Sequence, residues 1–119
     1  MNAKKFLLLF HFPKNPPPSK SSPEEMQAIY GQWMAWKNKF KAQILDSDGL
    51  KPGGKHLTKG VVTDGPFAES KDVIGSFTLI TADSLESAVK IAAESPFLSS
   101  ANAPEYRIEV REFAGYELK

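Results

Sequence analysis

Two side chains in this 119-residue sequence combine a reactive group with a setting that could put it to use, His11 and Asp64. His11 stands near the end of the run Phe6-Leu7-Leu8-Leu9-Phe10-His11-Phe12. An imidazole titrates near neutrality and can serve as acid or base; a histidine near a strand end is also a common packing residue. Asp64 opens the stretch Asp64-Gly65-Pro66-Phe67. A carboxylate held on a turn can act as a general base or hold a cationic group. Aspartate, glycine and proline are equally the residues a plain turn selects. Trp33 and Phe67 offer ring surface of the kind that lines a pocket for a small aromatic ligand. Glu69 and Lys71 can pair with each other or clamp a polar ligand. With Tyr30 and Trp36, Trp33 also falls at helical core spacing. Arg107 and Arg111 suit a carboxylate held by two prongs, or a solvated strand face.

Other chemistries lose support. The chain has no cysteine, which removes disulfides, thiolate metal sites and thiol nucleophiles together. His56 stands in a polar loop among lysines and is expected to be exposed; no ligand spacing joins it to His11, so no metal is expected. Phosphate-cradling glycine loops and a nucleophile elbow are missing. If the chain performs chemistry, the expectation is proton transfer without a cofactor, with His11 or Asp64 as acid or base. A formal net charge of +1 gives no basic excess to draw nucleic acid. Lys4 and Lys5 before Phe6–Phe10 resemble the start of a leader, but His11 and Pro13 interrupt the run and no cleavage site follows. No stretch approaches the ~18 apolar residues of a membrane span. A cytoplasmic protein is expected.

These side chains need elements to hold them. Residues 4–12 alternate Phe6, Leu8, Phe10 and Phe12 against Leu7, Leu9 and His11, a strand apolar on both faces. The prolines of residues 13–21 exclude helix and sheet pairing and favour a stiff loop. Ser22, Pro23 and Glu25 form a capping-box helix start. An apolar stripe of Met26, Ile29, Tyr30, Trp33, Trp36, Phe40 and Ile44 carries that helix onward. Gly31 inside it costs about 1 kcal/mol relative to alanine, which points to a close packing contact there. Residues 46–60 read as turns with at most short strands, Val61–Thr63 as a short strand and Val73–Thr81 as a full one. Asp83 caps a second helix, with Leu85, Ala88, Val89 and Ala92 on its apolar face and Pro96 as its stop. Tyr106–Phe113 alternates Tyr106, Ile108 and Val110 against Arg107, Glu109 and Arg111, which suits an edge strand.

This order predicts one α+β domain over residues 1–119, a ferredoxin-like βαββαβ plan with both helices on one face of an antiparallel sheet. The other face stays open although the first strand is apolar there too. Large exposed apolar surfaces are rare in monomers, and the commonest cover is a second copy related by a two-fold axis. A homodimer is expected.

The segment Val62-Thr63-Asp64-Gly65-Pro66-Phe67-Ala68-Glu69-Ser70-Lys71 resembles the signature of the DGPF branch of YCII-related proteins. The phenylalanine-rich first strand, the Ser-Pro-Glu-Glu helix start, Gly75-Ser76-Phe77 and the Ala-Ala-Glu-Ser-Pro-Phe helix end agree as well. This resemblance covers nearly the whole chain and implies a dimeric α+β barrel made of two ferredoxin-like subunits. It also implies a His–Asp pair in a cleft, with lyase-type chemistry on chlorinated aromatics in one branch. The first helix here has no histidine, and Ser95 stands before Pro96-Phe97 where the sibling branch places an aspartate. Genes of the DGPF branch often neighbour extracytoplasmic-function sigma factors, so the resemblance implies a second role, a non-catalytic interaction module regulating such a protein partner.

Overall fold

Alternation along the first strand sets the layers. In the computed structural model, which describes residues 3–13, 22–51, 53–64, 72–98 and 106–115, β1 (Lys4–Pro13) buries Phe6, Leu8 and Phe10 on one side. Leu7 and Leu9 are half-buried on the other. β1 lies inside an antiparallel four-stranded sheet. It is flanked by β5 (Asp72–Ala82) and β6 (Arg107–Glu112), with β2 (Ile44–Gly49) outside β5, giving the order β2-β5-β1-β6. Helix α1 (Pro23–Lys39) joins β1 to β2, and α2 (Leu85–Ala93) joins β5 to β6. This arrangement is compatible with a ferredoxin-like fold. A hairpin of β3 (Lys55–Thr58) and β4 (Val61–Asp64) is inserted between β2 and β5 and, among the described residues, pairs only within itself.

The core fills the space between sheet and helices. Trp36 from α1, with Ala88, Ile91 and Ala92 from α2, packs over Phe6, Leu8, Phe10 and Ile80. The Trp36 indole donates to the carbonyl of Ile91 at 2.8 Å, so the polar edge of a buried ring is satisfied and the helices are tied. Beyond α2 a single 3-10 turn, Pro96–Leu98, inserts Phe97 among Phe10, Phe12, Trp33 and Tyr106.

Several elements follow the local chemistry. The capping box of α1 forms: Glu25 N donates to Ser22 Oγ at 3.2 Å and Ser22 N donates to Glu25 Oε1 at 3.1 Å. The helix ends at Lys39, however, and does not run to Ile44. The amides of Gln43 and Ile44 both turn back to the Phe40 carbonyl, and Ile44 pairs with Ile80 as the first residue of β2. Nothing in Leu45-Asp46-Ser47-Asp48-Gly49 advertises a strand, and pairing with β5 overrides that polar composition. The Asp46 and Asp48 carboxylates accept from the amides of Ser47 and Gly49, each at 2.8 Å. Two backbone donors of this edge strand are thereby occupied, which discourages further strand addition.

Other expectations shift. Gly31 makes no close contact among the described residues, where a β-carbon built there meets nothing within 4 Å. The helix reaches the core through Trp33, Trp36 and Phe40, while Met26, Ile29 and Tyr30 of its first half and Met34 beyond them are exposed. The cap of α2 is Ser84, whose Oγ accepts from Ser87 N at 3.1 Å, one residue after Asp83. Ala88, Ile91 and Ala92 form its buried face, with Leu85 and Val89 exposed. Pro13 closes β1 opposite Asp72, a strand end being where proline's missing donor does least harm. His56 is half-buried on β3. The loop expected over residues 13–21 lies outside the described residues from 14 onward.

The sheet face opposite the helices has no covering layer among the described residues. Its row of half-buried apolar residues is Leu7, Leu9, Phe77 and Leu79. A radius of gyration of 16.2 Å exceeds the roughly 13.5 Å of a compact chain this long.

Candidate functional site

His11 sits where β1 and β5 change step. The pairing register shifts between Phe10 and His11, with Ser76 opposite Phe10 and Ile74 opposite His11. Gly75 is the extra residue, and the Phe12 ring fills the place its side chain would occupy: a β-carbon there would come within 2.3 Å of the ring. This bulge fits the general habit of re-aiming side chains at a sheet margin.

Across the other edge of β1, His11 pairs with Arg107 and Leu9 with Glu109. The imidazole lies on the open sheet face and is only 6% exposed. Its Nε2 is 3.0 Å from Glu109 Oε1, and Nη2 of Arg107 is 3.3 Å from Nδ1. A guanidinium can only donate, so Nδ1 is the acceptor and the ring proton resides on Nε2, which donates to Glu109. The second oxygen of Glu109 accepts from Nη1 of Arg111 at 3.0 Å. A continuous chain runs Arg107, His11, Glu109, Arg111, and it fixes both ring orientation and tautomer.

The hydrogen bond from Arg111, then that from His11, holds the Glu109 carboxyl below its ordinary value of 4.5. A carboxyl lowered by folding stabilises the native state above its unfolded value, and that contribution is lost as the pH falls through the folded value. The Glu109 side chain is 31% exposed, so water screens these contacts and the effect is modest. Wild type should therefore lose melting temperature more steeply than Glu109→Gln between about pH 5 and pH 3. Parallel slopes in the two proteins would show that the chain of contacts contributes nothing to stability.

The other candidates lie apart. Asp64 is exposed at the end of β4 and ion-paired with Lys55 across the hairpin. Trp33 is half-buried on the helix side, edge-on to Phe10 and Trp36, so sheet and α1 bracket it on the face opposite His11. Two of the candidates named from the sequence, His11 and Trp33, are thus divided by the sheet itself. Phe67, Glu69 and Lys71 lie outside the described residues. Ser95 is buried on the helix side after α2, and its Oγ meets no partner among the described residues. Two hollows of the described surface lie elsewhere. One of about 640 Å³ is lined by Lys4, Lys5, Glu112 and Phe113, and one of about 330 Å³ by Gln32, Trp36, Lys39 and Glu94.

Glu109 went unnoticed in the sequence as a partner of His11. Its position between two arginines on one strand face was visible, but the residues are 98 apart and the β1–β6 register decides their meeting. Among the described residues no helix is long and apolar enough to cross a membrane.

Comparison with known families gives a match to the YCII-related domain over residues 10–113, and the chain belongs to that family. A comparison with curated proteins gave no match.

Proposed function

We propose that this YCII-related protein, of the branch marked by Asp64-Gly65-Pro66-Phe67, is a cytoplasmic homodimer that binds a small molecule against its open sheet face. There His11 carries out proton transfer without a cofactor. The observation that carries the reading is the buried imidazole, locked in one tautomer beside half-buried Leu9 and Phe77. A positioned imidazole with a carboxylate behind it is a general acid–base arrangement. Of the two contacts described for the ring, the one from Arg107 is longer. A ligand carboxylate would compete for the guanidinium, because that pair is charge-assisted, and would loosen its contact with Nδ1. Leu7, Leu9, Phe77 and Leu79 supply the apolar wall for an aromatic or aliphatic body, and a second copy over the same face supplies the roof of a dimeric α+β barrel. Asp64, fastened to Lys55, enters this reading as a hairpin residue.

A thermal-shift screen of aromatic carboxylic acids, phenols and common metabolites, run on wild type and His11→Ala together, tests it. A true ligand raises the melting temperature of the protein it binds by mass action. Some aromatic acid should raise that of wild type and leave His11→Ala unmoved. Failure of every compound to shift wild type would sink the reading.

One observation favours a second role. Met26, Ile29, Tyr30 and Met34 are exposed along α1, a helix face suited to a protein partner such as an extracytoplasmic-function sigma factor. Under that reading no small ligand shifts wild type, and a Tyr30→Glu variant loses the partner.

A further inference from the structure

The two arginines of β6 do not stand alike. Arg107 is engaged with the imidazole, its Nη2 lying 3.3 Å from Nδ1 of His11. Among the described residues Arg111 gives its hydrogen bond from Nη1 alone, to Glu109 Oε2 at 3.0 Å, and its side chain is 68% exposed. A guanidinium carries five donors in a planar fork. With Nη1 turned to Glu109, the edge formed by Nε and Nη2 meets no partner among the described residues. Such an edge holds a carboxylate by two parallel hydrogen bonds.

Strand pairing places that edge in an ordered field. Asp46, Leu79, Leu7 and Arg111 form one row across the open face, Asp48, Phe77, Leu9 and Glu109 the next, and Ile74, His11 and Arg107 the third. Acids therefore stand on the β2 margin and half-buried apolar side chains in the middle. The β6 margin is net positive, since Glu109 offsets only one of its two arginines. A small amphipathic acid lying on this face is oriented by the pattern. Asp46 and Asp48 repel its carboxylate and Arg111 attracts it, while its body covers Leu7 and Leu9. The distance to the imidazole follows from Glu109, which touches Arg111 with one oxygen and His11 with the other. Two contacts of 3.0 Å meeting on one carboxylate hold the Arg111 guanidinium within about 8 Å of Nε2. One aromatic ring with groups at opposite ends has that span. An acid anchored on Arg111 thus brings its far end to the contact between Arg107 and His11, where a hydroxyl meets both a guanidinium and an imidazole.

We infer that Arg111 is the specificity-determining residue of this site, and that the ligand is a hydroxyaryl carboxylic acid held by its carboxylate on the Nε–Nη2 edge, with its hydroxyl presented to Arg107 and His11. Glu109 then keeps anchor and imidazole a ring's length apart. The single net positive charge of the cluster matches a monoanion. This rests on the reading of the open face as a ligand site, and it adds which group of the ligand is recognised and by which residue.

Calorimetric titration of the full chain with 4-hydroxybenzoate and with its neutral amide, 4-hydroxybenzamide, tests the inference in wild type, Arg111→Gln, Arg111→Lys and Arg107→Gln. Wild type should bind the acid roughly tenfold or more tightly than the amide, as a charge-assisted pair implies. Arg111→Gln should erase that preference. Arg111→Lys keeps the charge without the fork and should retain only part of it. Arg107→Gln should weaken acid and amide alike and leave their ratio unchanged. A preference that survives Arg111→Gln, or that Arg107→Gln alone removes, overturns the anchor and leaves the open-face site standing. Equal binding of acid and amide by wild type overturns recognition by charge. Binding of neither overturns the ligand class, and if the wider screen also leaves wild type unmoved, the open-face reading falls with it. Circular dichroism checks the fold of each variant. Should Arg111→Gln fail to fold for want of its contact with Glu109, the acid-to-amide ratio of Arg111→Lys against wild type makes the same comparison.

Discussion

Phe97→Ala is expected to lower the melting temperature by on the order of 12–20 °C, the largest effect of any single truncation argued from this fold. Phe97 is 4% exposed, and four rings stand edge-on to it: Phe10 and Phe12 at 5.0 Å, Tyr106 at 5.4 Å and Trp33 at 6.3 Å between centroids. Removing a buried phenylalanine forfeits its transfer free energy and leaves a cavity, together about 3–5 kcal/mol. Each aromatic pair adds its own preference for this geometry. Rings contributed by β1, α1 and the approach to β6 surround the gap, so no single side-chain movement can close it. At roughly 4 °C per kcal/mol for a chain of this length, the loss gives the stated range. Denaturant titration should place the cost in the same interval; a change below about 1 kcal/mol would mean that the neighbouring rings collapse inward freely.

Gly75→Val is expected to cost about 1–3 kcal/mol, by crowding instead of emptying the same region. The position beside Phe12 has no room: a β-carbon would lie 2.3 Å from one ring atom and 2.4 Å from the next. Phe12 cannot simply swing aside, because Phe97 and Tyr106 hold its ring on two edges. A double-mutant cycle separates this clash from any intrinsic preference of valine in a strand. Phe12→Ala should cost clearly less in the Gly75→Val background than in wild type, because each change relieves the other. Additive costs would show that Phe12 is not what glycine makes room for. The same substitution should disturb the step between Phe10 and His11, and with it the hydrogen bonds of the imidazole. His11→Ala and Gly75→Val are thus expected to weaken ligand binding together although only one removes a polar group.

Much of the fold was legible where local chemistry is sufficient. The Ser22 capping box, the alternation of β1 and β6, and the apolar run of β5 each depend on neighbours within a few residues, and all appear as expected. The α+β order and the edge position of β6 followed from them. Legibility failed where a distant strand decides. Residues 44–49 have a loop's composition and become a strand because β5 offers free backbone groups and tolerates Asp46 and Asp48 on its solvent side. Gly31 suggested a contact, and helix α1 gives it none among the described residues.

For the candidate site the division is sharper. Composition and motif singled out His11 as a chemically capable group, and the strand pattern put it on the face opposite Phe10. Its partners are another matter. Glu109 and Arg107 reach it through a pairing between chain ends nearly a hundred residues apart, and which residue faces which is set by a register that one step of slippage would invert. Residue types, helix starts and strand alternation belong to the sequence because they are short-range. The tautomer of His11, its separation from Trp33 by the thickness of the sheet, and the ordering of charge from β2 to β6 come from tertiary structure alone. Each depends on how strands remote in the chain are set side by side.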